Sequence, residues 1–275
     1  MVGYTKYLAN GFVQYGREVL RSRRLIYELT RREFRSRYLG SAFGLTWAFI
    51  HPAVMMLIYW VVFRFALKSA GPVDGVPFVV WLLTGLVPWF FAAESIGAGS
   101  SIIIDNRFLV KKVVFRVSLL PVVRIFSMLP VHLFFVLGVS VVLLAYGYYP
   151  NLQSLQVFYY LAAMMCLSLG FSLLMSALVP FLKDLSQVLQ VLVQILFWLT
   201  PLVWPESNLP GKNRWMLELN PLNYIVRGYR ESLARHVWIW QHPLASAYYW
   251  SVTAMFLVVG GIVFLRLQSH FADML

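Results

Sequence analysis

Negative charge is scarce in this chain. Eleven Asp and Glu stand against 23 Lys and Arg in 275 residues, and charged residues of all kinds reach only 12%. Soluble domains carry about 25%, so an ordinary soluble fold is excluded. Cysteine is nearly absent. Cys166 stands alone in an apolar stretch, which rules out a disulfide within the chain and a thiolate metal site. No G-x-x-x-x-G-K-[ST] phosphate loop occurs, so the chain does not hydrolyse ATP by that route. No H-E-x-x-H or Cys/His cluster occurs either, and His51, His132, His236, His242 and His270 are scattered. Only Glu94 and Asp105 fall in or at the edge of an apolar run. Proton-coupled pumps and membrane enzymes need intramembrane ionisable groups or paired carboxylates, so the energy for any work must come from another chain.

What is present is apolar surface. Hydrophobic residues make up 60% of the chain and aromatic residues 17%, with ten tryptophans. The formal net charge of +12 belongs to residues that flank apolar runs, a pattern of membrane orientation and not of nucleic-acid binding. The first apolar run begins near residue 42, too late for a cleavable signal peptide.

A transmembrane helix needs about 20 apolar residues. The charge-free interval between Arg37 and Arg64 gives a first span at 43–67. A second covers 76–100, interrupted by Pro88. The long run from Ile125 to Leu182 is divided by the turn "YGYYPN" into spans at 118–146 and 154–180. Spans at 187–204 and 244–266 complete six. The expected fold is therefore an all-α integral membrane protein of six helices. Nine Lys or Arg lie in the first 41 residues, and Arg107, Lys111, Lys112 and Arg116 lie between spans two and three. Such charge gathers on the cytoplasmic side, which places both termini there. Residues 1–41 form a cytoplasmic amphipathic region and 42–275 the six-span domain.

Three segments look able to do work. Residues 13–39 read as an interfacial helix with Leu20, Tyr27, Phe34 and Tyr38 on one stripe, serving either as an anchor or as a lever on span one. The loop "SIIIDNRFLVKKVVFR" (101–116) mixes Ile102, Ile103, Ile104, Phe108, Leu109 and Val110 with charges, which suggests docking into a partner's groove. Asp105 and Asn106 are candidate helix caps there. The 205–242 segment opens with helix-breaking prolines and glycine, and "NPLNYIVRGYRESL" then reads as a helix capped by Asn220 with Pro221 at its first position. Either it lies on the outer surface or it dips back between spans. The aromatics Tyr59, Trp60, Phe63, Trp89, Phe90, Phe197, Trp198 and Trp204 gather near span ends. They read as an interfacial belt or as the lining of a glycan conduit.

The stretch "LIYELTRREFRSRYLGSAFGLTWAFIHPAVMMLIYWVVFRF" (25–65) resembles the N-terminal signature of type-2 ABC-exporter permeases, in particular those that export lipid-linked polysaccharides such as O-antigen, and the related teichoic acid exporters. "GVPFVVWLLTGLVPWFF", "FLKDLSQVLQVLVQILFWLTPLVW" and "NPLNYIVRGYRESL" follow in the same order. The resemblance implies a multi-pass homodimer in the bacterial inner membrane, bound to two copies of a separate phosphate-loop ATPase that carries the ATP and Mg²⁺. No cofactor is then expected in this chain, and no nucleic acid. It also implies a coupling helix at about 101–112, with Ile104, Asp105, Asn106, Arg107, Phe108, Lys111 and Lys112 meeting the ATPase, and re-entrant external helices at about 205–240. The implied cargo is a glycan on an undecaprenyl-pyrophosphate carrier. Arginine makes bidentate, permanently charged contacts to phosphate, which makes Arg31, Arg32, Arg35 and Arg37 candidates for the pyrophosphate. Alternatives are a permease for teichoic acid or another lipid or drug, and a membrane-embedded glycosyl- or acyltransferase, which would need a catalytic acid or histidine.

Overall fold

The structure is a computed structural model that describes residues 15–37, 43–66, 71–111 and 115–275. Tyr38 and Lys112 lie outside the described residues. Helices account for nearly all regular structure among them, and one isolated bridge joins Val73 to Val76. Residues 15–21 are helical and lead to α1 (Arg23–Ser36). Then come α2 (Trp47–Val61), α3 (Phe78–Asp105), α4 (Leu120–Ala145), α5 (Gln156–Leu178), α6 (Leu185–Leu199), α7 (Pro221–Arg230) and α8 (Pro243–Leu267).

Among the described residues, five helical stretches are long and apolar enough to cross a membrane: Gly44–Phe65, Phe78–Asp105, Val117–Ala145, Leu152–Leu178 and Pro243–Met274. The stretch expected as a fifth span over 187–204 is shorter. α6 has 15 residues, about 22 Å of helix against a hydrocarbon core of about 30 Å. It stops because Thr200 turns extended ahead of Pro201, as a residue before proline is driven to do. The expected break at Pro88 is absent, since α3 runs through it as one helix. Neighbouring helices can stabilise a proline-containing span, and α3 is the most enclosed one.

Seventy-two per cent of the apolar window of α3 is buried, against 11% for the first span. α3 is thus the hub, packed by α4, α5, α6 and α7, while α2 touches it lightly. α5 and α8 pack closest of all. A Cβ on Gly260 would stand 2.4 Å from the Gly170 carbonyl oxygen, so these backbones meet only because both positions lack a side chain. α7 is seated against α3 and α5, with Leu222, Ile225, Val226 and Tyr229 in the main core. Asn220 caps it as expected, accepting from the Leu222 N–H at 3.0 Å, and Asn220 Nδ2 donates to Thr200 Oγ1. The helix of the 205–242 segment is thus packed against two of the spans, α3 and α5.

Leu20 and Tyr27, on the stripe expected to anchor the N-terminal region, are exposed. A different face carries the packing: Ile26, with Val19 and Leu29 beside it, sits on Leu119, Val122 and Val123 at the α4 end. The Tyr15 hydroxyl donates to the Ser118 carbonyl at 3.1 Å. Burial, with Glu18 nearby, pushes its phenol above the ordinary tyrosine range.

Candidate coupling site at the basic end

The end of the bundle that carries α1 also holds residues 101–111, the start of α4 and the chain's last helical turn, Phe271–Met274. Here Ile102 and Ile103, read from sequence as part of an exposed docking face, are fully buried. They sit on Phe264 and Phe271, so the C-terminal turn supports this corner from behind. α3 continues to Asp105, beyond the expected start of a separate coupling helix, and the helix after it is one turn, Arg107–Val110. Asn106 stands at its N-cap position without a capping bond and donates back to the Ile102 carbonyl. Arg107, Phe108 and Lys111 are exposed, Ile104 is partly buried, and Val110 is buried.

A chain of alternating charges joins this turn to α1. Arg124, 5% exposed in its side chain, reaches Glu33 of α1 at 2.8 Å with one nitrogen and Asp105 with the other. Ser101 Oγ donates to the same Asp105 oxygen at 2.8 Å. Arg37 contacts Glu94 of α3, donates to Ser127 Oγ at 2.9 Å and lies 3.8 Å from Glu33. Ser127 Oγ in turn donates to the Arg124 carbonyl at 2.7 Å. The order is Asp105, Arg124, Glu33, Arg37, Glu94: three carboxylates and two guanidiniums drawn from α1, α3, α4 and the residue after α1. Removing one partner of a buried pair costs about 3–5 kcal/mol. That figure suits Arg124 and Glu33, and falls at Asp105 and Glu94, which are 45% and 37% exposed and therefore screened.

The predicted site residues divide accordingly. Asp105 points at Arg124, whereas Arg107, Phe108 and Lys111 face outward. Arg37 is held by Glu94, while Arg31, Arg32 and Arg35 are exposed. Sequence reasoning missed Arg124 and Glu33. Arg124 was legible as a lone cation four residues inside an apolar run, a placement that demands a partner.

The aromatic set also divides. Tyr59 stacks on Phe197, and Trp89 meets the same ring edge-on at 5.5 Å. Phe63 packs near Phe78, Trp60 meets Phe65, and Phe90 lines a cavity. Trp198 is 61% exposed, and Trp204 Nε1 donates to its carbonyl. Beside Trp198 on α6, Gln187, Gln190 and Gln194 are exposed, and their side-chain amides have no hydrogen-bond partner among the described residues. These three amides were also missed, although glutamines at helical spacing in an apolar helix are a readable signal.

At the opposite end, Arg230 closes the break after α6. Its guanidinium is buried 3.7 Å over the Trp81 ring and donates to the carbonyls of Trp81, Pro201 and Leu202 at 3.1, 2.7 and 3.2 Å. These bonds supply the turn with donors that a non-helical backbone at membrane depth otherwise lacks. Gly85 makes the room: a Cβ there would stand 2.5 Å from an Arg230 nitrogen.

Comparison with known proteins fits this architecture. The sequence profile of the ABC-2 type transporter family matches residues 24–234. An O-antigen export system permease protein RfbA of Myxococcus xanthus is 27% identical over 264 residues, 94% of this chain and 97% of the relative. A protein of the same name from Klebsiella pneumoniae is 27% identical over 254 residues, 91% and 95% of the two chains. The polysialic acid transport protein KpsM of Escherichia coli is 24% identical over 203 residues, 74% of this chain and 78% of the relative.

Proposed function

Because the chain belongs to the ABC-2 type transporter family, we propose that it is the membrane subunit of an ATP-driven exporter carrying lipid-linked polysaccharide of the O-antigen kind across the bacterial inner membrane. The observation that carries this reading is similarity along nearly the whole length to permeases named for O-antigen export. The chain is a transporter subunit and not an enzyme. ATP and Mg²⁺ bind to a separate phosphate-loop subunit, two copies of which meet a homodimer of this chain. The basic end is cytoplasmic, in keeping with the gathering of Lys and Arg there.

The ATPase docks on the exposed turn with Arg107, Phe108 and Lys111, next to Lys112. Closure of the ATPase pushes this turn, and Asp105 at its root passes the displacement to Arg124. Arg124 holds Glu33 as well, so α4 and α1 move together, and the Arg37–Glu94 pair carries the motion to the middle of α3. The alternation of sign lets each charge exchange partners without standing alone in a poorly solvated place.

The path for the glycan runs between two copies. Unpaired amides facing hydrocarbon are unfavourable, so the Gln187, Gln190 and Gln194 face of α6 turns toward a second copy across a wet passage. The exposed Val54, Leu57 and Ile58 of α2 flank it, because Tyr59 and Phe197 join the two helices. Trp198 offers the passage an indole face. Tyr59, Phe63, Trp89 and Phe197 form the wall behind it, and Trp60, Phe90 and Trp204 its edges. Arg31, Arg32 and Arg35 receive the carrier's pyrophosphate, and Arg37 stays with Glu94.

Affinity purification of the tagged full chain from its own membranes tests this reading. The expected preparation contains a separate phosphate-loop ATPase in comparable amount. A preparation that transports glycan or transfers glycosyl groups with no ATPase present overturns it.

A further inference from the structure

A cavity of about 530 Å³ lies between α2, α3 and α4. Trp47 and Glu94 stand toward the basic end, and Met56 and Val87 lie deeper. From Trp47 to Met56 the α2 wall rises nine residues, about 13 Å of helix. Most of the lining is apolar, and Met56, Val87 and Met128 present buried surface. Three polar side chains interrupt it: Glu94 at the shallow end, engaged by Arg37, His51 on the α2 wall, and His132. His132 Nε2 meets the Tyr229 hydroxyl at 2.8 Å, while its Nδ1 has no partner among the described residues.

This mainly apolar lining selects the occupant. An apolar space of this size is not left empty in a close-packed interior. A helix, about 10 Å across with its side chains, is too wide for it, so a span of a second copy does not enter. A sugar needs a partner for each hydroxyl removed from water, and most of the lining offers none. A hydrocarbon chain needs only width and length. The end of α1 is tied to the shallow end by Arg37, and the exposed Arg31, Arg32 and Arg35 just before it favour an anionic headgroup. We propose that the cavity behind the first span seats the phosphate-proximal isoprene units of the carrier lipid, with its phosphates at the α1 arginines. The choice of an isoprenoid over a phospholipid acyl chain rests on the proposed function.

The loosely packed α2 is then the movable wall. It covers the chain on one side and, by the reading above, borders the passage between copies on the other. A carrier chain behind α2 keeps the lipid in the membrane while the glycan crosses.

Photolabelling tests the inference. The full chain with its ATPase is placed in phosphatidylglycerol nanodiscs with a diazirine-bearing polyprenyl phosphate, and labelled residues are read by mass spectrometry. Label is expected on residues 47–56 and 128–135, reduced about tenfold, equivalent to roughly 1.4 kcal/mol, by Met56→Trp. Ala48→Phe, at the shallow end, is expected to act likewise, and Val141→Trp on the lipid-exposed side of α4 is expected to change nothing. Thermal melting of each variant separates loss of fold from loss of binding. Label insensitive to both filling variants in folded protein overturns the proposal. Equal labelling by an acyl-diazirine phosphatidylglycerol, not displaced by excess polyprenyl phosphate, overturns it too, because the occupant is then bulk lipid. Either result leaves ATPase co-purification, and hence the proposed function, intact.

Discussion

Arg124 and Arg230 are both buried arginines, at opposite ends of the molecule, and their partners differ in kind. Among the described residues, Arg230 bonds only to backbone carbonyls and stacks on Trp81. Its partners cannot leave without unmaking the turn after α6. Arg124 bonds to the carboxylates of Glu33 and Asp105, which sit on different helices and have other neighbours at hand. A guanidinium bound to fixed backbone is a rivet, whereas one shared between side chains on separate helices is a joint. The first suits a part that stays put, and the second a part that moves.

The comparison breaks most visibly at Arg230. Arg230→Met orphans the Pro201 and Leu202 carbonyls at about 1–3 kcal/mol each when they remain buried, while Thr84 still serves Trp81, and is expected to remove folded protein from membranes, measured by detergent-extracted yield and melting temperature. Gly85→Val should reproduce that loss by displacing the guanidinium. Next in size is Arg124→Leu, which leaves the buried Glu33 carboxylate with only its longer contact to Arg37. A loss of about 3 kcal/mol is expected, with folded protein still recovered, and ATP hydrolysis in the assembled complex no longer matched by export. The exchange Asp105→Arg with Arg124→Asp sharpens this: it restores the link between positions 105 and 124 but sets a second carboxylate against Glu33, so no recovery of export is expected. A smaller effect follows from Arg107→Glu with Lys111→Glu. These side chains are exposed, so melting should not change, whereas binding of the ATPase should weaken about tenfold. Reversing Asp105 in the same variant would confuse docking with the joint. Smallest is Glu18→Gln: its partner Arg116 is 58% exposed, and a change of about 0.5 kcal/mol or less is expected by thermal melting.

The spans were legible because lipid imposes a simple rule, a charge-free run of sufficient length, and the sequence obeys it between Arg37 and Arg64 and again after Arg124. The α6 boundary was less so. Nothing apolar stops at Leu199, and the helix ends on backbone chemistry at Thr200 and Pro201. The exposed face of the 101–111 turn was partly legible: Arg107, Phe108 and Lys111 are exposed, but Ile102 and Ile103 are buried by Phe271, far away in sequence. The joint was hidden for the same reason. Arg37 and Glu94 are 57 residues apart, and Arg124 and Asp105 are 19 apart. Within α1, Glu33 sits among arginines and reads as local charge balance. Only the packing of α1 on α4 selects Arg124 as its partner.

The central claim is that this chain exports glycan under the drive of a separate ATPase, through the Asp105–Arg124–Glu33 joint. The most direct measurement counts lipid-linked glycan translocated per ATP hydrolysed in proteoliposomes holding the chain and its co-purifying ATPase. The account predicts ATP-dependent translocation for the native chain, and for folded Arg124→Leu continued hydrolysis with translocation reduced at least about tenfold, a difference of roughly 1.4 kcal/mol. Undiminished translocation per ATP in that variant, or translocation by the native chain without the ATPase, would contradict it.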